Sequence, residues 1–366
     1  MFQPHFNLTN NLLTYISSIE SAKALIDHSP LVPAWEAKFK KDAMARTIHF
    51  GTKIEGNDLT QDQAQKVARL ELVNDPEEAA KRAGIIARER DIQEVLNYRN
   101  VIKWIDEQDP KLSANLLSEK TLKHLHELTM HQLLIEDQIG HYRRKQVIVK
   151  GAGEHAGKVV FRPPVSVEVP FLVEEFFEWL NSAEAKKIHP IFKAAITHYQ
   201  LVYIHPFIEG NGRAARAMAS LILYATGYDF KRFFSLEEYF DSDVENYYSA
   251  LQSVQQSEKA EMTYWLEYFC YGLAVEVDKV KEKVLKLSKD LKMKKELGRQ
   301  VALSERQIVL LELLQDQGEI TSADAQDMLP NVSVDTILRD FKDLIDKGVI
   351  KKHGVTKGVT YSLVER

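Results

Sequence analysis

A single cysteine, Cys270, stands in 366 residues, so the chain can form no disulfide of its own, and such usage fits a reducing compartment. Long apolar runs are missing too: no stretch approaches the roughly 18 consecutive apolar residues of a membrane-spanning helix. Residues 1–10 lack the basic segment and apolar core of an export signal. A soluble cytoplasmic protein with no membrane partner is therefore expected. A global basic excess is absent, since 48 Lys and Arg against 53 Asp and Glu leave a formal net charge of −5, and any nucleic-acid contact must be local. There is no internal repeat or low-complexity segment. What the chain does have is 45% hydrophobic residues, enough for buried cores in two or three domains.

The chemistry concentrates between His205 and Arg216, which reads His-Pro-Phe-Ile-Glu-Gly-Asn-Gly-Arg-Ala-Ala-Arg. Gly210, Asn211 and Gly212 open a helix, where unpaired backbone N–H groups and the helix dipole favour an anion. Two glycines let a ligand approach the backbone, and Asn211 tolerates left-handed conformations and can donate through its amide. Arg213 and Arg216, three apart, project from nearly one helix face and suit a polyphosphate clamp. Without an anion, two arginines in a first helical turn oppose the dipole. Glu209 beside bound phosphates would be repelled unless a divalent cation lay between, which points to Mg²⁺. His205 has the side chain suited to proton abstraction near neutral pH and reads as a general base.

These twelve residues fit the pattern His-x-Phe-x-(Asp/Glu)-Gly-Asn-Gly-Arg-x-x-Arg at every specified position, so the chain resembles the Fic-domain adenylyltransferases. The resemblance implies transfer of AMP from ATP to a Ser, Thr or Tyr hydroxyl of a protein, with pyrophosphate leaving. His205 would deprotonate the hydroxyl, Glu209 would bind Mg²⁺, and Gly210, Asn211 and Gly212 would hold the α-phosphate region. Arg213 and Arg216 would hold the outer phosphates, and Phe207 would anchor the loop.

Upstream, Ala43 to Asn57 reads as a helix with Met44, Ile48 and Ile54 on one face and Gly56 and Asn57 as its cap. Glu55 in its last turn is misplaced by dipole logic. Many Fic proteins carry an inhibitory helix with the pattern (Ser/Thr)-x-x-x-Glu-(Gly/Asn). Glu55 and Gly56 match its end, whereas its first position falls on Gly51, with Thr52 adjacent. By that resemblance Glu55 would pair with Arg216 and switch the enzyme off. The same site could instead remove AMP from a modified protein with Glu55 aligning a water, or a nucleotide-sensing core could serve a transcriptional regulator.

The expected fold is mainly α, a Fic-type helical bundle with a small β-hairpin flap and a C-terminal winged helix. Residues 1–40 form an N-terminal helical cap, and 41–275 the Fic domain, with the inhibitory helix at about 43–57 and helical pattern throughout Asp58 to Asp109. Ser118 caps a helix to Leu134, whose His124, His126 and His131 lack metal-ligand spacing and read as structural. The flap spans about 142–161, with His155 at its tip, and by resemblance its edge would hold a target segment by strand addition beside His205. Helices Val169 to Leu180 and Ile191 to Ile204 follow. Tyr247 and Tyr248 would border the adenosine or else be core. Residues 276–302 read as a linker helix with Val280, Val284, Leu287 and Leu291 on a buried stripe. Residues 303–366 resemble a winged helix, with Ser304, Thr321 and Ser333 as caps. Its recognition helix, Ser333 to Lys347, presents Thr336, Arg339 and Lys342, and its wing carries Lys351, Lys352 and Lys357. Asp335, Asp340, Asp343 and Asp346 dilute that charge, so DNA competes with a protein partner or a homodimer contact. ATP, Mg²⁺ and a hydroxyl-bearing target protein are the implied ligands and partners, with the chain itself one candidate target.

Overall fold

A computed structural model describes the chain apart from residues 1, 30, 32, 71–72, 110–115, 151–158, 297–302, 331, 355–357 and 365–366. It divides into two compact units, Met1–Lys286 and Leu287–Arg366.

The first unit is helical. Thr9 caps α1 (Asn10–His28), its hydroxyl accepting the Leu12 N–H at 3.2 Å. One continuous helix, α2 (Pro33–Lys53), joins what the sequence pattern divides at about residue 40. It ends before Glu55, which therefore lies in the turn beyond the helix rather than in its last turn. Ile54, Glu55 and Gly56 donate back to Phe50, Thr52 and Lys53 at 2.9–3.1 Å, and Gly56 takes φ +91°, a conformation suited to glycine.

The stretch 58–109, expected to be helical throughout, is broken into α3 (Gln61–Ala68), α4 (Pro76–Ala83) and α5 (Glu89–Asp106). Local chemistry sets the breaks. Thr60 and Gln63 form a capping box, Asp75 caps a helix with Pro76 in its first turn, and Gly84 ends it in the left-handed region. Ser118 caps α6 (Glu119–Met130) as its sequence position suggests. The hairpin pairs β1 (Val149–Lys150) antiparallel with β2 (Val159–Phe161), Val149 opposite Phe161; its tip and His155 lie outside the described residues.

After α7 (Val169–Leu180), the centre of the unit is the pair α8 (Pro190–Ile204) and α9 (Asn211–Ala225), which pack on each other. Small side chains on α9, Ala214, Ala215, Ala217 and Ala219, are buried and allow this approach. Helices α5 and α6 also touch α9, and α2 packs on α5 and on α10 (Leu236–Ser242). Through α11 (Val244–Gln256) and α12 (Thr263–Glu296), an aromatic cluster of Phe240, Tyr247, Trp265 and Phe269 surrounds His198. The end of the domain expected to close at residue 275 and the linker expected from residue 276 share one helix, along which Val280, Val284 and Leu287 are buried.

In the second unit, α13 (Glu305–Gln317), α14 (Ser322–Met328) and α15 (Val334–Asp346) start at Ser304, Thr321 and Ser333, each of which accepts a helix N–H. They cover a three-stranded antiparallel sheet in the order β3 (Glu319–Ile320), β5 (Thr360–Leu363), β4 (Ile350–His353). The sequence suggests only two of these strands, because two residues are too few to show a period. Leu310, Leu314, Ile337, Phe341 and Tyr361 form its core, with Phe341 and Tyr361 stacked at 4.0 Å. On α15, Val334, Asp335, Leu338, Arg339, Lys342, Asp343 and Asp346 are exposed, as are Lys351 and Lys352 on β4. Thr336 is half-buried, and Lys357 lies outside the described residues.

Candidate functional site

The loop from His205 to Gly210 joins α8 to α9 and is held from within. Asn211 is buried; its Oδ1 accepts the Phe207 N–H at 2.8 Å and its Nδ2 donates to the Phe207 carbonyl at 3.0 Å. Its amide therefore closes the loop, a different use from the outward donor its sequence position suggests. Gly210 supplies the left-handed step, φ +77°, and a Cβ there would lie 2.5 Å from Met130 Sδ. Phe207 is fully buried, stacked on the imidazole of His126 with ring centroids 3.8 Å apart.

His205 closes α8 in the left-handed region, φ +50° and ψ +60°. Its Nδ1 lies 3.2 Å from the Val202 carbonyl. A carbonyl only accepts, so the proton is on Nδ1 and Nε2 keeps its lone pair. Burial lowers the pKa of the imidazole against the opposing pull of the Val202 hydrogen bond and of Glu55, so the ring is neutral at pH 7.

Arg213 and Arg216 are both buried on α9, with different partners. The Arg216 guanidinium donates to Glu55 Oε1 at 2.8 Å and to the Gly51 carbonyl at 2.9 Å. The Glu55 carboxylate thus lies over the first turn of α9: a Cβ on Gly212 would come within 2.3 Å of its Oε1. Misplaced at the end of its own helix, Glu55 is well placed at the N-terminus of another, where unpaired N–H groups attract an anion. Burial alone would raise its pKa, but Arg216 and Arg213 override this and lower it. Arg213 Nη1 lies 3.4 Å from the buried carboxylate of Glu94. Among the described residues, Arg213 Nε and Nη1 and Arg216 Nε are buried without a hydrogen-bond partner. Buried donors in that state are costly unless a ligand meets them.

Glu209 is 41% exposed at its side chain and pairs with Arg90. Tyr247 is buried, its hydroxyl 2.8 Å from His198 Nε2, and Tyr248 is half-exposed. Burial raises the pKa of both phenols, that of Tyr248 to about 12.

Several residues around this loop carry no motif signal. Asn57 Nδ2 donates to the Asp91 carbonyl and to Glu94 Oε2, each at 2.9 Å, tying the turn after Glu55 to α5. Gly51, where the inhibitory pattern has a hydroxyl, is packed so closely that a Cβ would lie 2.4 Å from Tyr98 Cε1, and its carbonyl contacts Arg216 directly. The adjacent Thr52 turns its hydroxyl to Ile48 and His49. His126 accepts the Gly140 N–H at Nδ1, 2.9 Å, and so donates from Nε2 to the Glu209 carbonyl, 3.0 Å. Arg143 donates to the carbonyls of His205 and Pro164. Apart from Gly51 and the adjacent Thr52, on which the inhibitory pattern bears, no motif could have singled these out, because each acts through backbone atoms or through a partner distant in sequence.

Residues 116–223 match the Fic/DOC family model. A protein adenylyltransferase Fic of Drosophila grimshawi is 33% identical over 193 residues, covering 52% of this chain and 35% of the relative. That of Drosophila willistoni is 30% identical over 217 residues, 58% of this chain and 38% of the relative. The chain thus spans about a third of the length of these curated relatives. A Fic family protein from Desulfovibrio desulfuricans G20 superposes with a TM-score of 0.64 at 22% identity, covering 100% of this chain and 99% of that one. Fic-1 from C. elegans gives 0.54 at 20% identity over 76% and 73%. The mainly α fold is that of these Fic structures, and the segment similar to the Fic/DOC family, residues 116–223, contains every residue from His205 to Arg216.

Proposed function

We propose that the chain is a protein adenylyltransferase that moves AMP from ATP to a Ser, Thr or Tyr hydroxyl of a protein and is held off by Glu55. The observation that carries this reading is the Glu55 carboxylate on Arg216 and over Gly212, an internal anion in a cradle suited to phosphate. In the reaction, Nε2 of His205 takes the hydroxyl proton, the oxygen attacks the α-phosphorus, and the α–β anhydride bond breaks to release pyrophosphate. The nitrogens of Arg213 and Arg216 that make no hydrogen bond supply donors for the polyphosphate. Tyr248, half-exposed, is the ring available to border the adenosine, with Tyr247 packed behind it.

Glu209 fits a divalent cation whose other ligands are phosphate oxygens. It is the one carboxylate of the loop and is partly exposed, and the described residues contain no group of three or more His, Cys, Asp or Glu that would hold a metal alone. Bound there, Mg²⁺ would neutralise charge on the phosphates as pyrophosphate departs. Arg90, now on Glu209, would have to turn aside.

A second reading shares this geometry. The field of Glu55 reaches His205, so a water between them could hydrolyse AMP from a modified protein. Incubation with labelled ATP, and separately with an AMP-modified target, distinguishes the two. Transfer of label by the wild type, lost in His205→Ala, is expected; label transfer undiminished in His205→Ala would overturn the base assignment.

A further inference from the structure

Arg143 is buried, 4% exposed, and among the described residues its guanidinium meets carbonyl oxygens and no carboxylate. Nε donates to the His205 carbonyl at 2.7 Å. Nη1 donates to Lys145 at 3.3 Å, and Nη2 to Pro164 at 2.5 Å and Ile204 at 3.4 Å. Its backbone N–H donates to the Pro206 carbonyl at 2.9 Å. These acceptors form two groups. Ile204, His205 and Pro206 are the end of α8 and the start of the loop, where helix carbonyls lack intrahelical donors and a cation is favoured. Lys145 and Pro164 are the two roots of the β1–β2 hairpin. Gln146 Nε2 also crosses those roots to the Pro163 carbonyl, 2.9 Å, and Phe161 on β2 packs against Tyr203 on α8 with centroids 5.8 Å apart.

A cation buried without a counter-ion is costly, and a left-handed backbone at a non-glycine residue costs of order 1 kcal/mol or more. Both costs coincide at one junction, where His205 is held in that conformation from its carbonyl side. We infer that Arg143 is a positioning residue that fixes the hairpin in register with the imidazole of His205. It would thereby set the distance between an acceptor segment lying along the hairpin edge and the base that takes its proton. This rests on the reading of His205 as the base; the hairpin–His205 linkage can be measured without it. Because none of the five hydrogen bonds reaches α9, nucleotide binding is outside its influence.

The test takes Glu55→Gly as parent and adds Arg143→Lys, which keeps the charge and cannot span four carbonyls, and Arg143→Gln. Protein-directed transfer is expected to fall on the order of tenfold to a hundredfold in both variants, with ATP affinity by calorimetry within about twofold of the parent. Amide hydrogen exchange is expected to rise together at residues 147–149, 159–161 and 204–205 while α9 stays protected. Transfer restored to the parent level by lysine would reduce Arg143 to a charge at a helix end, and loss of ATP affinity in parallel with transfer would make it merely structural. Either result overturns the inference. A parent that transfers no AMP would count against the adenylyltransferase reading alone, and unchanged exchange at the hairpin would then still refute the role of Arg143.

Discussion

At the scale of single residues, His126 shows how a buried group supports the loop without touching a substrate. Nδ1 accepts from Gly140, so the imidazole must stay neutral for both of its hydrogen bonds to persist. Burial pushes its pKa down to about 4 from an ordinary 6.5. A group whose folded pKa is depressed contributes fully above the unfolded value and loses that contribution as pH falls toward the folded one. His126 is thus expected to cost the fold up to about 3 kcal/mol between pH 6.5 and 4. Denaturation midpoints measured across that range should fall more steeply for the wild type than for His126→Gln. Gly51 yields a second expectation. Adding a side chain there drives it into the buried ring of Tyr98, so Gly51→Ser should destabilise the protein by about 1–3 kcal/mol in denaturant titration, although it restores the hydroxyl of the inhibitory pattern. The loop from His205 to Arg216 was legible because its chemistry is written in contiguous side chains. Gly51 and Tyr98, His126 and Glu209, and Asn57 and Glu94 were not, because each pair becomes adjacent only after α2, α5, α6 and α9 have packed.

At the scale of elements, α2 delivers Glu55 to α9, and Asn57 fixes the delivery. Its side chain holds the turn against α5 through the Asp91 carbonyl and the Glu94 carboxylate, and its Oδ1 accepts the Leu59 N–H at 3.1 Å. Asn57→Ala should loosen that turn and raise AMP transfer several-fold in the wild-type background. It should change little in Glu55→Gly, where no carboxylate remains to be delivered; measuring both backgrounds separates release of Glu55 from general loosening. Helix existence followed from periodicity and caps along most of the chain. Helix limits followed less well: α2 runs through the expected break near residue 40, and the 58–109 stretch divides at Thr60, Asp75 and Gly84, where capping outweighs a continuous helical pattern.

At the scale of the whole molecule, α15 and β4 of the C-terminal unit present Arg339, Lys342, Lys351 and Lys352 among their exposed described residues, interleaved with Asp335, Asp343 and Asp346. We propose it as a winged-helix docking module. If it engages DNA through those four cations, the affinity should fall with salt with a log–log slope of about −3 to −4, measurable by fluorescence anisotropy; absence of binding would assign the exposed Val334 and Leu338 to a protein partner. The control proposed for the first unit rests on one carboxylate, Glu55, lying on Arg216 and over Gly212. The most direct measurement is therefore AMP transfer from labelled ATP by wild type, Glu55→Gly and Glu55→Gly with His205→Ala. Glu55→Gly is expected to exceed the wild type on the order of tenfold or more, and the double variant to lose that gain. Equal transfer by Glu55→Gly and wild type would contradict inhibition by Glu55.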